Sequence, residues 1–349
     1  MFTAIAQRPI HPLITGIPMR AAYYTRFGHP REVLEFGDLP TPVPEPGQVR
    51  VRLAYTGLNP VDWKLMAGQR SASMPFPLII PNSDGAGVVE ELGPDVSSIR
   101  LGQRVWVTNG QVGRPLGTAA TSITIGAENV HPLPDHVPLE VGACLGIPAL
   151  TAYRILTIDG PVAGQQVLVS GGAGAVGNYA IQIAKALGAH VIATVSSAEK
   201  AALARAAGAN HVIDYKRESI GERVAEITHG KGVDRILETD LAGNLAHLLP
   251  SLRQGGTVAV YGSATDMAPR IPVAPFLLKD VRLHFVSVFV IPPAQRQEAV
   301  QAIHAMLEQG QLQHTIAAQY EFERIAQAYE EVIAGRQVGK VLVRIGEGA

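Results

Sequence analysis

Hydrophobic and polar positions change their rhythm along this chain. Residues 19–145 carry short runs in which apolar and polar side chains alternate, as in Gln48-Val-Arg-Val-Arg-Leu-Ala54. That two-residue period is the signature of half-buried strands. Met19-Arg-Ala-Ala-Tyr-Tyr24 reads as the first of them, and Gly85 to Gly93 and Gly102 to Val107 continue the series. Pro and Gly punctuate the runs, most densely in Pro40-Thr-Pro-Val-Pro-Glu-Pro-Gly47. From Gln166 onward strand-like runs alternate with helical ones, with strands predicted at 166–170, 190–195, 211–214, 233–237, 257–261 and 281–286. Between the first two, Ala180, Ile183, Ala184 and Leu187 follow the i, i+3, i+4, i+7 spacing of a helix, and Gly188 stands where a helix C-terminal glycine belongs. Such alternation predicts right-handed βαβ units and a doubly wound Rossmann domain with a six-stranded parallel sheet. Farther on, 294–309 and 322–334 read as helices and 340–345 as a closing strand that folds back on the N-terminal β domain. The expected division is an arm at 1–18, a β domain at 19–145, a Rossmann domain at 146–290 and a returning segment at 291–349. The fold class is α/β.

Composition narrows the function. At 349 residues with 47% hydrophobic and 17% charged side chains, the chain is long enough for about two packed domains. The net charge of -1 gives no basic surface for nucleic acid. No run approaches the ~18 uninterrupted apolar residues of a membrane span. A single cysteine, Cys144, excludes an internal disulfide and multi-cysteine zinc lobes, and a cytoplasmic location is expected. The arm is free of acidic residues and broken by Pro9, Pro12 and Pro18, which matches neither an amphipathic transit peptide nor a secretory signal.

The chemistry begins at Val167-Leu-Val-Ser-Gly-Gly-Ala-Gly-Ala-Val-Gly177. Gly172, Gly174 and Gly177 satisfy G-x-G-x-x-G between a strand and a helix, with Ala175 and Val176 opening that helix. Gly172 is expected to allow the tight turn, Gly174 the approach of a pyrophosphate and Gly177 close helix–strand contact. The second strand ends in Thr194-Val-Ser-Ser-Ala-Glu-Lys200, without the acid that binds a ribose 2′-hydroxyl in NAD sites. Ser196, Ser197 and Lys200 offer instead charge-assisted bonds to a 2′-phosphate, favouring NADPH. Ser196-Ser-Ala-Glu199 also reads as a capping box, with Ser196 as the N-cap. Tyr261-Gly262, at the end of the fifth strand, is expected near the nicotinamide by the switch-point rule. Histidine and cysteine spacing offers no metal site, and Cys144 sits in an apolar stretch where a buried small hydrophobe is expected.

Over residues 19–346 the chain resembles the zinc-independent quinone oxidoreductases, the ζ-crystallin-like branch of the medium-chain dehydrogenases/reductases. Gly57-Leu-Asn-Pro-Val-Asp-Trp-Lys64 and Pro81-Asn-Ser-Asp-Gly-Ala-Gly-Val-Val89 carry the likeness in the β domain, and Ser170 to Gly177 in the Rossmann domain. Zinc-dependent relatives have a cysteine where this chain has Asn59 and a His-Glu pair where it has Ser83-Asp84. The resemblance implies a GroES-like β domain and a metal-independent, NADPH-dependent reductase that passes hydride to a quinone or activated carbonyl. It places Lys200 and Tyr215 at the 2′-phosphate, Arg336 at the cofactor and Phe289 over the cleft. It sets Asn59 facing nicotinamide and substrate and Lys64 reaching the substrate. Asn59 also reads as the turn residue of an Asn-Pro step, and Lys64 as a solvated or ion-paired lysine. Glu238-Thr-Asp240 departs from the branch's Asp-x-Val. Two alternatives stay open, a 2-alkenal or enone reductase on the same fold and a non-catalytic NADPH-binding protein. The partners expected are a small electrophile and a second copy of the chain, paired as a homodimer through the β-branched run Leu283 to Ile291.

Overall fold

The computed structural model describes residues 18–346. The predicted arm at 1–18 therefore lies outside the described residues except for Pro18.

The β domain opens with β1 (Met19–Tyr23), α1 (Pro30–Val33) and β2 (Glu35–Leu39), then β3 (Gln48–Leu58) and α2 (Pro60–Met66). Strands β4 (Asp84–Leu92), β5 (Arg104–Val107), β6 (Ser122–Gly126) and β7 (Val130–Pro132) follow. Alternation in β3 works as its sequence predicts. Val49, Val51 and Leu53 are buried, while Arg50 points outward to Glu90 and Glu91. A 19-residue helix, α3 (Leu139–Thr157), then runs between the domains. By length and composition it would suffice to cross a membrane, but 83% of its most apolar window is buried inside the molecule. It is apolar on every face because it packs both on β4 and β5 and on the nucleotide domain. The domain boundary expected between 145 and 146 falls inside this helix.

The nucleotide domain runs β8 (Gln166–Val169), α4 (Ala175–Ala186), β9 (His190–Val195), α5 (Ala198–Ala206), β10 (His211–Asp214), α6 (Ile220–Ile227), β11 (Val233–Glu238), α7 (Leu241–Ser251), β12 (Leu252–Val260), α8 (Val273–Leu278) and β13 (Arg282–Phe285). All six strands are parallel, in the order β10-β9-β8-β11-β12-β13. The order reverses between β8 and β11, which opens a crevice at their C-terminal ends. Five strands lie within one or two residues of their predicted bounds. The exception, β12, begins five residues early, because Gly255 takes a left-handed turn (φ +65°) and the strand absorbs it as an irregularity in its pairing with β11.

Helix α9 (Pro293–Glu308) packs against α3, with Ala299, Ile303, Met306 and Leu307 buried. The segment assigned to the β domain from residue 291 thus joins it only later. Strand β14 (Ile316–Glu321), helix α10 (Ile325–Ala334) and strand β15 (Lys340–Arg344) complete a seven-stranded sheet ordered β14-β15-β3-β4-β5-β7, with β6 also on β3.

Candidate functional site

Strand β8 feeds α4 through the glycine-rich turn. The left-handed residue is Gly171 (φ +68°), not Gly172 as the motif suggests. Gly172 is needed for packing, since a Cβ there would lie 2.8 Å from the Ala193 Cβ. At Gly177 a Cβ would sit 2.3 Å from the Gly171 carbonyl oxygen, so the helix approaches the turn as expected. At Gly174 the nearest protein atom to an added Cβ is 3.4 Å away. Packing does not require that glycine, which suits a backbone meant to be approached from outside. As N-cap of α4, Gly174 has no side chain to satisfy the first-turn N–H groups, which with the helix dipole are left for an anion near Ala175 and Val176. These features fit a dinucleotide pyrophosphate.

At the end of β9, α5 starts one residue later than its capping pattern suggests. Ser197, not Ser196, is the N-cap, and its Oγ accepts from the Lys200 backbone N–H at 3.3 Å. Glu199 therefore misses the N3 position of a capping box. The Tyr215 N–H donates to the Val195 carbonyl at 3.1 Å, which brings the backbone of the half-exposed Tyr215 to the end of β9, just before Ser196 and Ser197. Arg336 follows the α10 cap Gly335 and shares a groove of about 320 Å³ with Glu199, Gln337 and Val338. At the crevice, Tyr261 is fixed by its N–H to the Glu238 carbonyl (3.0 Å). A Cβ on Gly262 would meet the Thr239 carbonyl oxygen at 2.3 Å. Glu238 itself is buried and accepts from Ser170 Oγ, the Asp240 N–H and Asn244 Nδ2, so the departure at Glu238 ties β8 to β11. Phe289 packs, half-buried, in a short helical turn after β13.

The β domain contributes a buried charge network set by strand register. Leu58 pairs with Val341 and Gly57 with Asp84, so Asn59, Asp84 and Lys340 share one end of three adjacent strands. Lys340 Nζ donates to Asn59 Oδ1 (2.5 Å) and Asp84 Oδ2 (2.7 Å). Asn59 Nδ2 donates to the same Asp84 oxygen (2.9 Å), and the Ile147 N–H to Asp84 Oδ1 (2.8 Å). Gly57 makes room for the lysine stem, since a Cβ there would lie 2.7 Å from Lys340 Cε and 2.0 Å from the Ala143 carbonyl oxygen. Asn59 caps α2 and gives its N–H to Asp62 Oδ2 (2.7 Å). Burial and the neighbouring Asp84 push the Asp62 carboxyl up to about 7, against the pull of Lys340. The Asn59 amide is thus spent inside the protein rather than turned toward a ligand. Lys64 stands apart, its ammonium 5.9 Å over the Trp63 ring. Burial pushes the Cys144 thiol up to about 12, the inert thiol its apolar setting suggests.

Between the domains, Cys144, Ala175, Asn178, Tyr179, Thr315, Gly339 and Lys340 line a cavity of about 10 Å³. Tyr179 and His314 Nδ1 share a 2.8 Å hydrogen bond, and burial holds His314 down at about 4. Gln182 and Gln313 exchange two further bonds.

The alcohol dehydrogenase GroES-like domain family matches residues 45–135, and the zinc-binding dehydrogenase family matches 175–307. Quinone oxidoreductase from Homo sapiens is 32% identical over 330 residues, covering 93% of this chain and 97% of the relative. That of Pseudomonas aeruginosa is 30% identical, covering 92% and 98%. The chain belongs to the quinone oxidoreductase family of medium-chain dehydrogenases/reductases. It is an oxidoreductase whose Rossmann domain binds a nicotinamide cofactor. Among solved structures, the quinone oxidoreductase of Pseudomonas syringae pv. Tomato superposes with a TM-score of 0.84 at 32% identity, covering 93% of this chain and 99% of that one. A mycobacterial protein solved in complex with NADPH gives 0.83 at 29%, with the same coverages.

One family description names zinc, and the residues here do not fit it. Asn59 and Asp84, which the resemblance sets at the positions of zinc ligands, are both bonded to the Lys340 ammonium. Among the described residues no three His, Cys, Asp or Glu side chains gather to hold a metal. Sequence reading missed Lys340 as the partner of Asp84. The available signal was Asp84, an acid with no cation near it in its own segment, and a lysine opening an apolar closing strand.

Proposed function

We propose that this family member is an NADPH-dependent quinone oxidoreductase that works without a metal. The observation carrying the cofactor choice is that the tip of β9 carries Ser196 and Ser197 where an NAD site would carry an Asp or Glu, with Lys200 in the helix that follows and the Tyr215 backbone bonded to Val195. In this reading the first turn of α4 holds the pyrophosphate, the β9 cluster the 2′-phosphate, and Arg336 closes the adenosine end. Tyr261, Gly262 and Phe289 flank the nicotinamide, which when bound supplies a hydride. The names of the relatives support a quinone as acceptor, and activated enones are the nearest alternative. Quinones suit a site without an obvious general acid, because the developing negative charge needs hydrogen-bond donors more than a proton.

Initial rates of NADPH oxidation with an ortho-quinone, against NADH and against a simple enone, test this. Fast quinone turnover with NADPH and slow turnover with NADH is expected. A preference for NADH overturns the cofactor assignment, and turnover of the enone alone overturns the acceptor. A homodimer is part of the same reading. Strand β13 is an open sheet edge, and Leu277, Leu278, Phe285 and Val290 around it are each more than 65% exposed. Phe285→Glu is expected to give a monomer in light scattering, and an unchanged mass overturns that pairing. The lone, buried Cys144 is consistent with a cytoplasmic setting.

A further inference from the structure

A lysine only 3% exposed is costly unless its charge is answered, and in Lys340 it is answered by two oxygens. An ammonium has three hydrogens. Asn59 Oδ1 and Asp84 Oδ2 take two, and no third protein acceptor lies within hydrogen-bond distance among the described residues. Lys340 also lines the interdomain cavity, together with Ala175 at the first turn of α4. At about 10 Å³ that cavity has room for one water-sized group, an oxygen rather than a ring. The lysine cannot swing away. Its stem runs over Gly57 and its head is bound twice, so the third N–H keeps one place. Every polar atom of Asn59 and Asp84 that touches the ammonium serves to hold it.

We propose that Lys340 is a tethered cation doing the electrostatic work that a bound metal ion would otherwise do, with its third N–H given to the substrate carbonyl oxygen. The inference rests on the quinone reductase reading. A quinone that accepts a hydride gains two electrons and one hydrogen and becomes a hydroquinone monoanion. Lys340 hydrogen-bonds the oxyanion without giving up its proton, and water supplies the proton that completes the hydroquinone. Lys340 is then a catalytic residue, and Asn59 and Asp84 are positioning residues that hold it. Fixed donors in a site shielded from water stabilise such charge more than solvent does, because they need no reorganisation.

A phenol that resembles the hydroquinone monoanion reads this without turnover. With NADP⁺ present, 4-nitrophenol is titrated by the visible absorbance of its phenolate, bound to wild type, to Lys340→Met and to the pair Lys340→Met with Asp84→Asn. The double variant removes the ion pair as a unit, so that Asp84 is not left as a buried carboxylate without its cation. Wild type is expected to lower the pKa of the bound phenol by ~1–3 units, as a cation at hydrogen-bond range does, and both variants to leave it at its free value. Quinone turnover should fall by at least ~10-fold in the same variants while the affinity for NADP⁺ stays within ~2-fold. Failure of wild type to bind nitrophenol, or an equal shift in wild type and variants, overturns the proposal. So do variants that reduce quinone at the wild-type rate, which would leave the quinone reductase reading intact. A wild type that shifts the phenol yet reduces no quinone overturns the substrate reading and keeps Lys340 as an oxyanion site.

Discussion

Asp62→Asn tests the electrostatic balance of the buried network directly. Asp62 is 2% exposed and faces Asp84, Lys340, Tyr24 and Tyr329. Two effects oppose each other: burial and Asp84 favour the neutral acid, while Lys340 and the Asn59 N–H favour the carboxylate. The first pair wins and lifts the group to about 7. From an ordinary ~3.9 this is a rise of about 3 units, or about 4 kcal/mol. The folded protein therefore holds a proton between about pH 4 and 7 that the unfolded chain has released. Its stabilising contribution is complete below pH ~4 and is lost as pH rises to 7. Asparagine keeps an oxygen for the Asn59 N–H and has no such loss. The stability of the variant relative to wild type should accordingly climb by ~1.4 kcal/mol per pH unit up to about 7 and then level off. Urea unfolding of both proteins at steps between about pH 5 and 8 measures this difference. His131 and His314, held down at about 3 and about 4 by burial, weaken both proteins equally below pH ~6.5 and cancel in the comparison. A difference that ignores pH, or falls as pH rises, would refute the reasoning and mean that Lys340 outweighs burial.

Two further perturbations probe the nucleotide domain. Lys200→Ala should raise the KM for NADPH by ~10-fold or more, the equivalent of one charge-assisted bond, while leaving NADH kinetics unchanged; equal effects on both cofactors would remove Lys200 from the 2′-phosphate. Gly177→Ala places a Cβ 2.3 Å from the Gly171 carbonyl oxygen, and should cost about 1–3 kcal/mol in denaturant unfolding and weaken NADPH binding measured by fluorescence; unchanged values in both would show that the turn can relax.

How much of this was legible in the sequence depended on whether the signal was local. The nucleotide domain was readable because its strands, its helix period and its glycine turn each lie within a few consecutive residues. Even Gly188 fell at its expected left-handed cap (φ +82°). Strand β14 was not, because an edge strand whose inward residues Ile316, Ala318 and Tyr320 are only half-buried carries a weak two-residue pattern. Helix α3 hid the domain boundary for the opposite reason. A helix buried on both sides has no polar face to show where one domain stops.

The charge network was the least legible part, since Lys340 lies 281 residues from Asn59 and 256 from Asp84. Motif spacing has nothing to say at that range, and it led to Asn59 and Lys64 as direct contacts with substrate. The physics was still available. Asp84 sits in a run of apolar and glycine residues, and a carboxylate buried there needs a cation or several donors. Among the β domain's own arginines, Arg50 is committed to Glu90 and Glu91 and Arg104 to carbonyls near residue 135. Of the predicted returning strand, Lys340 and Arg344 were the two cations on offer. Gly57 marks where one of them must pass, because a bare backbone in an otherwise filled strand leaves room for another side chain. Its strand partners are Asp84 on one side and Leu342 on the other, and Leu342 lies midway between the two cations, so register alone does not choose. Side-chain packing does, since a Cβ on Gly57 would lie 2.7 Å from Lys340 Cε. An unneutralised acid and an unexplained glycine on neighbouring strands therefore narrow the partner to a cation of the returning strand, and the fold selects the lysine.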